Sequence, residues 1–166
     1  RGEIGLAVFR SYFYDSIDFD SALNRLVNQT EVVNWGSELT TSWLLDDTVS
    51  IGGHVTFVDT DIRDNDAELL NRPKWRLGTD VSWKGLKDIT LAGRALYVGR
   101  VLDSSIPTGD VALADHTRFD VSANWRFAPG WDVSLAVDNI FDNKYEEAVG
   151  FRAPGILPRM TLRLVF

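Results

Sequence analysis

The sequence predicts an all-β chain, an antiparallel up-and-down meander of about eight strands forming part of a transmembrane β-barrel. Three observations carry this. Apolar and polar residues alternate with a period of two through most of the 166 residues, as strand side chains do. Tight turns alternate with long polar connections, an asymmetry typical of outer-membrane barrels. Tryptophans recur at opposite ends of the same strand face, where an aromatic girdle would place them.

The strands are read as Glu3 to Asp15, Val32 to Leu45, Thr48 to Asp59, Pro73 to Lys84, Asp88 to Arg100, His116 to Phe127, Trp131 to Phe141 and Pro158 to Phe166. In the first, Gly5, Ala7, Phe9, Ser11 and Phe13 are expected to face lipid, because the other set (Ile4, Leu6, Val8, Tyr12, Tyr14) includes Arg10. The second puts Trp35, Leu39 and Trp43 on one face and Glu38 on the other. The third sets Ile51, Val55 and Phe57 against His54; the fourth sets Trp75, Leu77, Val81 and Trp83 against Lys74, Arg76 and Asp80. The fifth opposes Leu91 and Tyr97 to Arg94 and Arg100. The sixth opposes Phe119, Val121, Trp125 and Phe127 to Arg118, Asp120 and Arg126. The seventh opposes Trp131, Val133 and Leu135 to Asp132 and Asp138, and the eighth opposes Met160, Leu162, Leu164 and Phe166 to Arg159 and Arg163. From the second strand onward one face is free of charge, as lipid requires when Arg or Lys at the bilayer midplane costs about 2–4 kcal/mol.

Short turns are expected at Asp46-Asp47, Lys84-Gly85-Leu86-Lys87 and Ala128-Pro129-Gly130. Long loops are expected over Ser16 to Glu31, Thr60 to Arg72, Val101 to Asp115 and Asp142 to Leu157. A soluble barrel with an apolar interior has the same alternation, and the tryptophans separate the two. Trp35 and Trp43, like Trp75 and Trp83, lie eight residues apart, roughly 26 Å along a strand. At a tilt of about 40° that spans roughly 20 Å of membrane, near the apolar band of about 25 Å. Trp43, Trp83, Trp125 and Trp131 adjoin short turns, while Trp35 and Trp75 lie toward long loops.

Composition narrows the function. A net charge of −7 and a pI near 4.7 argue against a nucleic-acid partner. The absence of Cys excludes disulfides and thiolate metal sites. No run approaches the roughly 20 apolar residues of a membrane helix, and Arg1 to Ser11 does not read as a signal peptide.

The stretch Val137-Asp138-Asn139-Ile140-Phe141-Asp142, with Tyr145, Gly150-Phe151, Pro154-Gly155 and an alternating last strand ending on Phe166, resembles the C-terminal signature of TonB-dependent outer-membrane receptors. Ile156 stands where that family usually has Arg, and Thr161 where it usually has Gly. Asn71-Arg72-Pro73-Lys74 leading into Trp75, with Tyr145-Glu146 and Gly150-Phe151, most resembles the cobalamin and siderophore receptors. The resemblance implies that residues 1–166 are the C-terminal part of a barrel of about 22 strands, with the plug domain and earlier strands lying outside them. It also implies a Gram-negative outer membrane with its lipid, contact with TonB through the plug, energy-coupled uptake of a large scarce nutrient (cobalamin or a ferric siderophore), and recognition by the barrel-assembly machinery through Phe166, Leu164 and Leu162.

Signs of catalysis are lacking. There is no Gly-x-Ser-x-Gly, phosphate-binding glycine loop or His-Glu-x-x-His, so neither an enzyme nor a cofactor is expected. The densest acidic stretch, Asp59, Asp61, Asp64, Asp66 and Glu68, reads first as a solvated loop. As a hypothesis it could order around calcium, a hard cation needing about six to eight oxygens. Arg126 is expected to face Asp132 across the Pro129-Gly130 turn, and Arg94, Arg118 and Arg163 to meet Asp80, Asp120 or Asp138. Rival readings are a self-contained eight-stranded barrel with a structural or adhesion role and a soluble carrier. Deleting Phe166 is expected to abolish outer-membrane assembly of the full-length protein; normal surface levels on immunoblotting would contradict this.

Overall fold

The computed structural model describes residues 1–20, 23–63 and 68–166. In chain order they form β1 (Gly2–Asp20), β2 (Arg25–Leu44), β3 (Val49–Ile62), β4 (Trp75–Leu86), β5 (Ile89–Val98), β6 (Val101–Ser105), β7 (Gly109–Leu113), β8 (His116–Ala128), β9 (Trp131–Asp138), β10 (Glu146–Ala148), β11 (Phe151–Arg152) and β12 (Leu157–Leu164). Eight of these make one sheet in the order β1-β2-β3-β4-β5-β8-β9-β12, and each pair is antiparallel. β6–β7 and β10–β11 are hairpins set into the connections between sheet strands. β1 and β12 are the two edges, each paired on one side only.

Register keeps the uncharged face continuous. Leu39 stands opposite Val55, Val55 opposite Leu77, Leu77 opposite Tyr97 and Tyr97 opposite Thr117. At the far side Ala123 faces Leu135, which faces Met160. None of the described residues forms a layer over this face. Leu39, Trp43, Val81, Trp125, Leu135 and Leu162 are 41–56% exposed, and the buried apolar side chains among the described residues are Val32, Ile62 and Leu113. A soluble barrel would turn the uncharged face inward and pack it, which this sheet does not do.

β1 corrects the sequence reading. Leu6 pairs with Leu39, Ile4 with Thr41 and Val8 with Ser37. The set Ile4, Leu6, Val8, Arg10, Tyr12 therefore joins the uncharged face, and Gly5, Ala7, Phe9, Ser11 and Phe13 join the charged one. Arg10 is accommodated because it lies at the end of the apolar band, opposite Trp35, which in turn faces Asp59. Its guanidinium sits over the Tyr12 ring at 5.0 Å, a cation–π contact.

Turn chemistry fixes the short ends. The Asp46 carboxylate accepts from the Thr48 and Val49 amides (2.6 and 2.8 Å) and the Thr48 hydroxyl (2.8 Å). The hydroxyl bond first, then the amides, hold this carboxyl below its usual range. The second turn is tighter than expected: β4 runs on to Leu86, leaving Lys87 and Asp88 as the loop, with Asp88 at φ +60°. Pro129 and Gly130, the latter at φ +78°, match positions i+1 and i+2 of a type II turn. A Cβ on Gly130 would strike the carbonyl of Val165, whose amide donates to the Gly130 carbonyl at 2.8 Å.

The long connections are more ordered than the expected polar loops. Ser16 to Glu31 is mostly a continuation of the β1–β2 hairpin, with Ser16 paired to Gln29 and Asp20 to Arg25. β9 is shorter than expected, because Asn139, at φ +52°, turns the chain out of the sheet. Asn139 is 2% exposed and its amide group makes three bonds: Nδ2 donates to the carbonyls of Asn143 (3.0 Å) and Pro154 (3.2 Å), and Oδ1 accepts from the Asn143 amide (2.9 Å). Its backbone N–H donates to Asp120 at 3.0 Å, and Asn143 Nδ2 reaches the Thr117 carbonyl at 2.8 Å. Asp142 holds Lys144 at 2.7 Å, and its carboxylate lies against Gly155, where a Cβ would meet it. The Asn-aliphatic-Phe-Asp motif and the Pro-Gly step are thus the two halves of one knot.

Two outcomes follow from this geometry. In the full-length protein Leu6→Arg should lower outer-membrane levels and cost about 2–4 kcal/mol in unfolding, while Ala7→Arg, opposite Glu38, should be near neutral; the reverse order would place β1 the other way round. Asn139→Ala should cost about 3 kcal/mol in denaturant unfolding, at roughly 1 kcal/mol for each lost bond.

Candidate functional site

Chemistry concentrates in two places: the end of the sheet that carries the long connections, and the charged face of the wall. At the first, Asp103 on β6 is the node. It is 6% exposed and accepts from Asn71 Nδ2 (3.1 Å), the Ser104 amide (2.8 Å) and the Val149 amide (2.7 Å). The Asn71 amide also donates to the Leu102 carbonyl at 2.7 Å. Burial pushes the Asp103 carboxyl up, but the bonds from Val149, Ser104 and Asn71 outweigh it and leave the group below its usual range. It is therefore a carboxylate at any physiological pH.

Ion pairs brace the same end. Lys74 meets Asp59 at 2.6 Å and Arg100 meets Glu68 at 3.3 Å, while Arg63 pairs with Glu31. A cleft of about 210 Å³ beside Lys74 and the Arg100–Glu68 pair is lined by Glu68, Arg72, Lys74, Trp75 and Arg100 among others. His116, at the start of β8, stacks on Tyr145 with ring centres 3.7 Å apart and planes 9° from parallel. This end can present cationic, carboxylate and aromatic groups to a ligand. Among the described residues there is no group of three or more His, Asp or Glu that could hold a metal ion.

The acidic stretch of the β3–β4 connection is therefore divided. Asp59 is engaged by Lys74 and Glu68 by Arg100, whereas Asp64 and Asp66 lie outside the described residues. Asp61 stands opposite Val33 at the end of β3.

On the charged face a row runs Ser42, Gly52, Asp80, Arg94, Asp120 across five strands. Arg126 faces Asp132 in register and approaches it to 3.4 Å, as the turn length required. Arg118 pairs with Asp120 at 3.1 Å on its own strand. Asp138 is taken by Arg159 at 2.7 Å, a pairing the sequence reading did not anticipate. Arg94 stands in register between Asp80 and Asp120, and Arg163 opposite Asp132. His54 lies over Gly78, where a Cβ would collide with its ring.

The aromatics of the other face gather at its two ends. Trp35, Phe57 and Trp75 form a chain with ring centres 5.2 and 4.7 Å apart at the long-connection end. Trp125, Phe127 and Trp131 do so at 5.6 and 5.9 Å beside the Pro129-Gly130 turn. Trp43 and Trp83 flank the other short turns. Leu162 and Leu164 stand opposite Val133 and Trp131, and Phe166 follows them, fully exposed. Asp103 was missed from sequence because its donors lie one, 32 and 46 residues away and follow no motif.

The family described as TonB dependent receptor-like, beta-barrel, matches residues 1–140. No curated protein sequence matches. Among solved structures, the ferric-catecholate import receptor Fiu of Escherichia coli K12 superposes with a TM-score of 0.81 at 16% identity, over 100% of this chain and 25% of that one. The siderophore receptor PiuA of Acinetobacter baumannii gives 0.78 at 18% identity, over 98% and 26%. The ferripyoverdine receptor of the Pseudomonas aeruginosa outer membrane gives 0.78 at 17%, over 99% and 25%. The chain thus spans about a quarter of the length of these receptors. Both its matched family and its fold are those of the Gram-negative outer membrane, and the chain belongs to the TonB-dependent receptor-like β-barrel family.

Proposed function

We propose that residues 1–166 form the C-terminal wall of a TonB-dependent receptor that imports a ferric siderophore across the outer membrane. The observation that carries this reading is the open, single-layer sheet with one uncharged face and two unpaired edges, which suits a sector of a larger barrel better than a barrel closed on eight strands. The uncharged face meets hydrocarbon, and the charged face lines a wet lumen. Trp35 and Trp75 mark the external girdle, and Trp43, Trp83, Trp125 and Trp131 the periplasmic one. Leu162, Leu164 and Phe166 carry the assembly signal. TonB acts through a plug domain outside these residues. The names of the similar solved receptors favour a ferric siderophore over cobalamin as cargo.

The test is transport by the full-length receptor in a strain lacking its own siderophore receptors. Radiolabelled iron should enter from at least one ferric catecholate or hydroxamate, and uptake should cease when TonB is deleted. Uptake of cobalamin alone would overturn the cargo, and siderophore uptake that survives loss of TonB would overturn the mechanism.

A further inference from the structure

The barrel wall accounts for the charged face and the aromatic rows but not for Asp103. A carboxylate at 6% exposure needs partners, and here the three acceptor contacts come from three separate connections. Asn71 belongs to β3–β4, Ser104 to the β6–β7 hairpin between β5 and β8, and Val149 to the turn between β10 and β11. All three donors are neutral; the Ser104 amide is local to the hairpin, and the other two reach the charge only while the connections stay together. Bonds to an ionised acceptor are stronger than neutral ones, and a buried charge left partly unsatisfied is costly. Losing one connection therefore weakens the hold on the others. Asn71, at φ +58°, is fixed twice, through its side chain to Asp103 and its amide to Leu102.

We infer that Asp103 is a positioning residue that makes these three connections one body, so that they engage cargo as a single surface rather than as independent loops. The cargo half of this inference rests on the receptor reading above; the coupling half does not.

The test uses the full-length receptor in detergent, comparing wild type with Asp103→Asn and Asp103→Ala, and with Asp110→Asn in the same hairpin as control. Asn keeps the shape of the side chain but offers one acceptor oxygen and turns an N–H toward a donor. Hydrogen exchange should show the segments around Asn71, Ser104 and Val149 losing protection together in both Asp103 variants and not in the control. Ferric catecholate and ferric hydroxamate siderophores serve as probes. Whichever binds wild type should bind the variants about tenfold more weakly, a shift of about 1.4 kcal/mol, and in whole cells the probe concentration for half-maximal uptake should rise by a similar factor. Protection lost only within the β6–β7 hairpin would overturn the coupling. Loss in all three segments with unchanged affinity would overturn the positioning role. Wild type that binds neither probe would count against the receptor reading and the cargo half together, while exchange would still decide the coupling. If Asp103→Ala fails to assemble, Asp103→Asn decides.

Discussion

Strand register is the constraint on which the structure depends. The sheet is a single layer with no core beneath it, so backbone pairing and the sorting of side chains between its faces must define the fold together. A slip of one residue at any pairing would send Arg94, Asp80 or Arg118 to the side held by Leu77, Val81 and Phe119. In hydrocarbon such an error also leaves charges without solvent, and unpaired backbone groups there are costly. The short turns set the register locally: Asp46 ties Thr48 and Val49, and Pro129-Gly130 sets Arg126 against Asp132.

The Asn139 knot does the same work at the other end. It ends β9 early, ties the chain to β8 through Asp120 and Thr117, and returns it through Pro154 to the start of β12. The motif that resembles the receptor family is thus a structural device. It positions the β9–β12 connection, including Val149, beside Asp103. Wall and loops are in this sense continuous: the same carboxamide that stops a strand sets where a loop begins.

Most of the wall was legible in the sequence because a period of two is local and repeats in every strand. Where the reading failed, the deciding fact was not local. Arg10 argued against its face in β1 only because the sequence does not show that it lies level with Trp35, past the apolar band. Ser16 to Glu31 looked like a loop because its polar residues gave no sign of pairing with one another. The Arg126–Asp132 pair followed from turn length, whereas Arg159–Asp138 joins residues 21 apart and Asp103 gathers donors from two distant connections. Long-range polar partners are set by tertiary placement and leave no periodic trace.

The β1–β2 hairpin has a further consequence. Beyond Val32, where pairing with β3 ends, β1 and β2 continue together to Asp20 and Arg25, seven residues on along β2, or at most roughly 23 Å at strand spacing. This two-stranded ribbon extends past the last pair that β2 makes with β3. On the proposed orientation, residues added to or removed from this ribbon would change what projects from the cell surface while leaving the register of the wall below it intact.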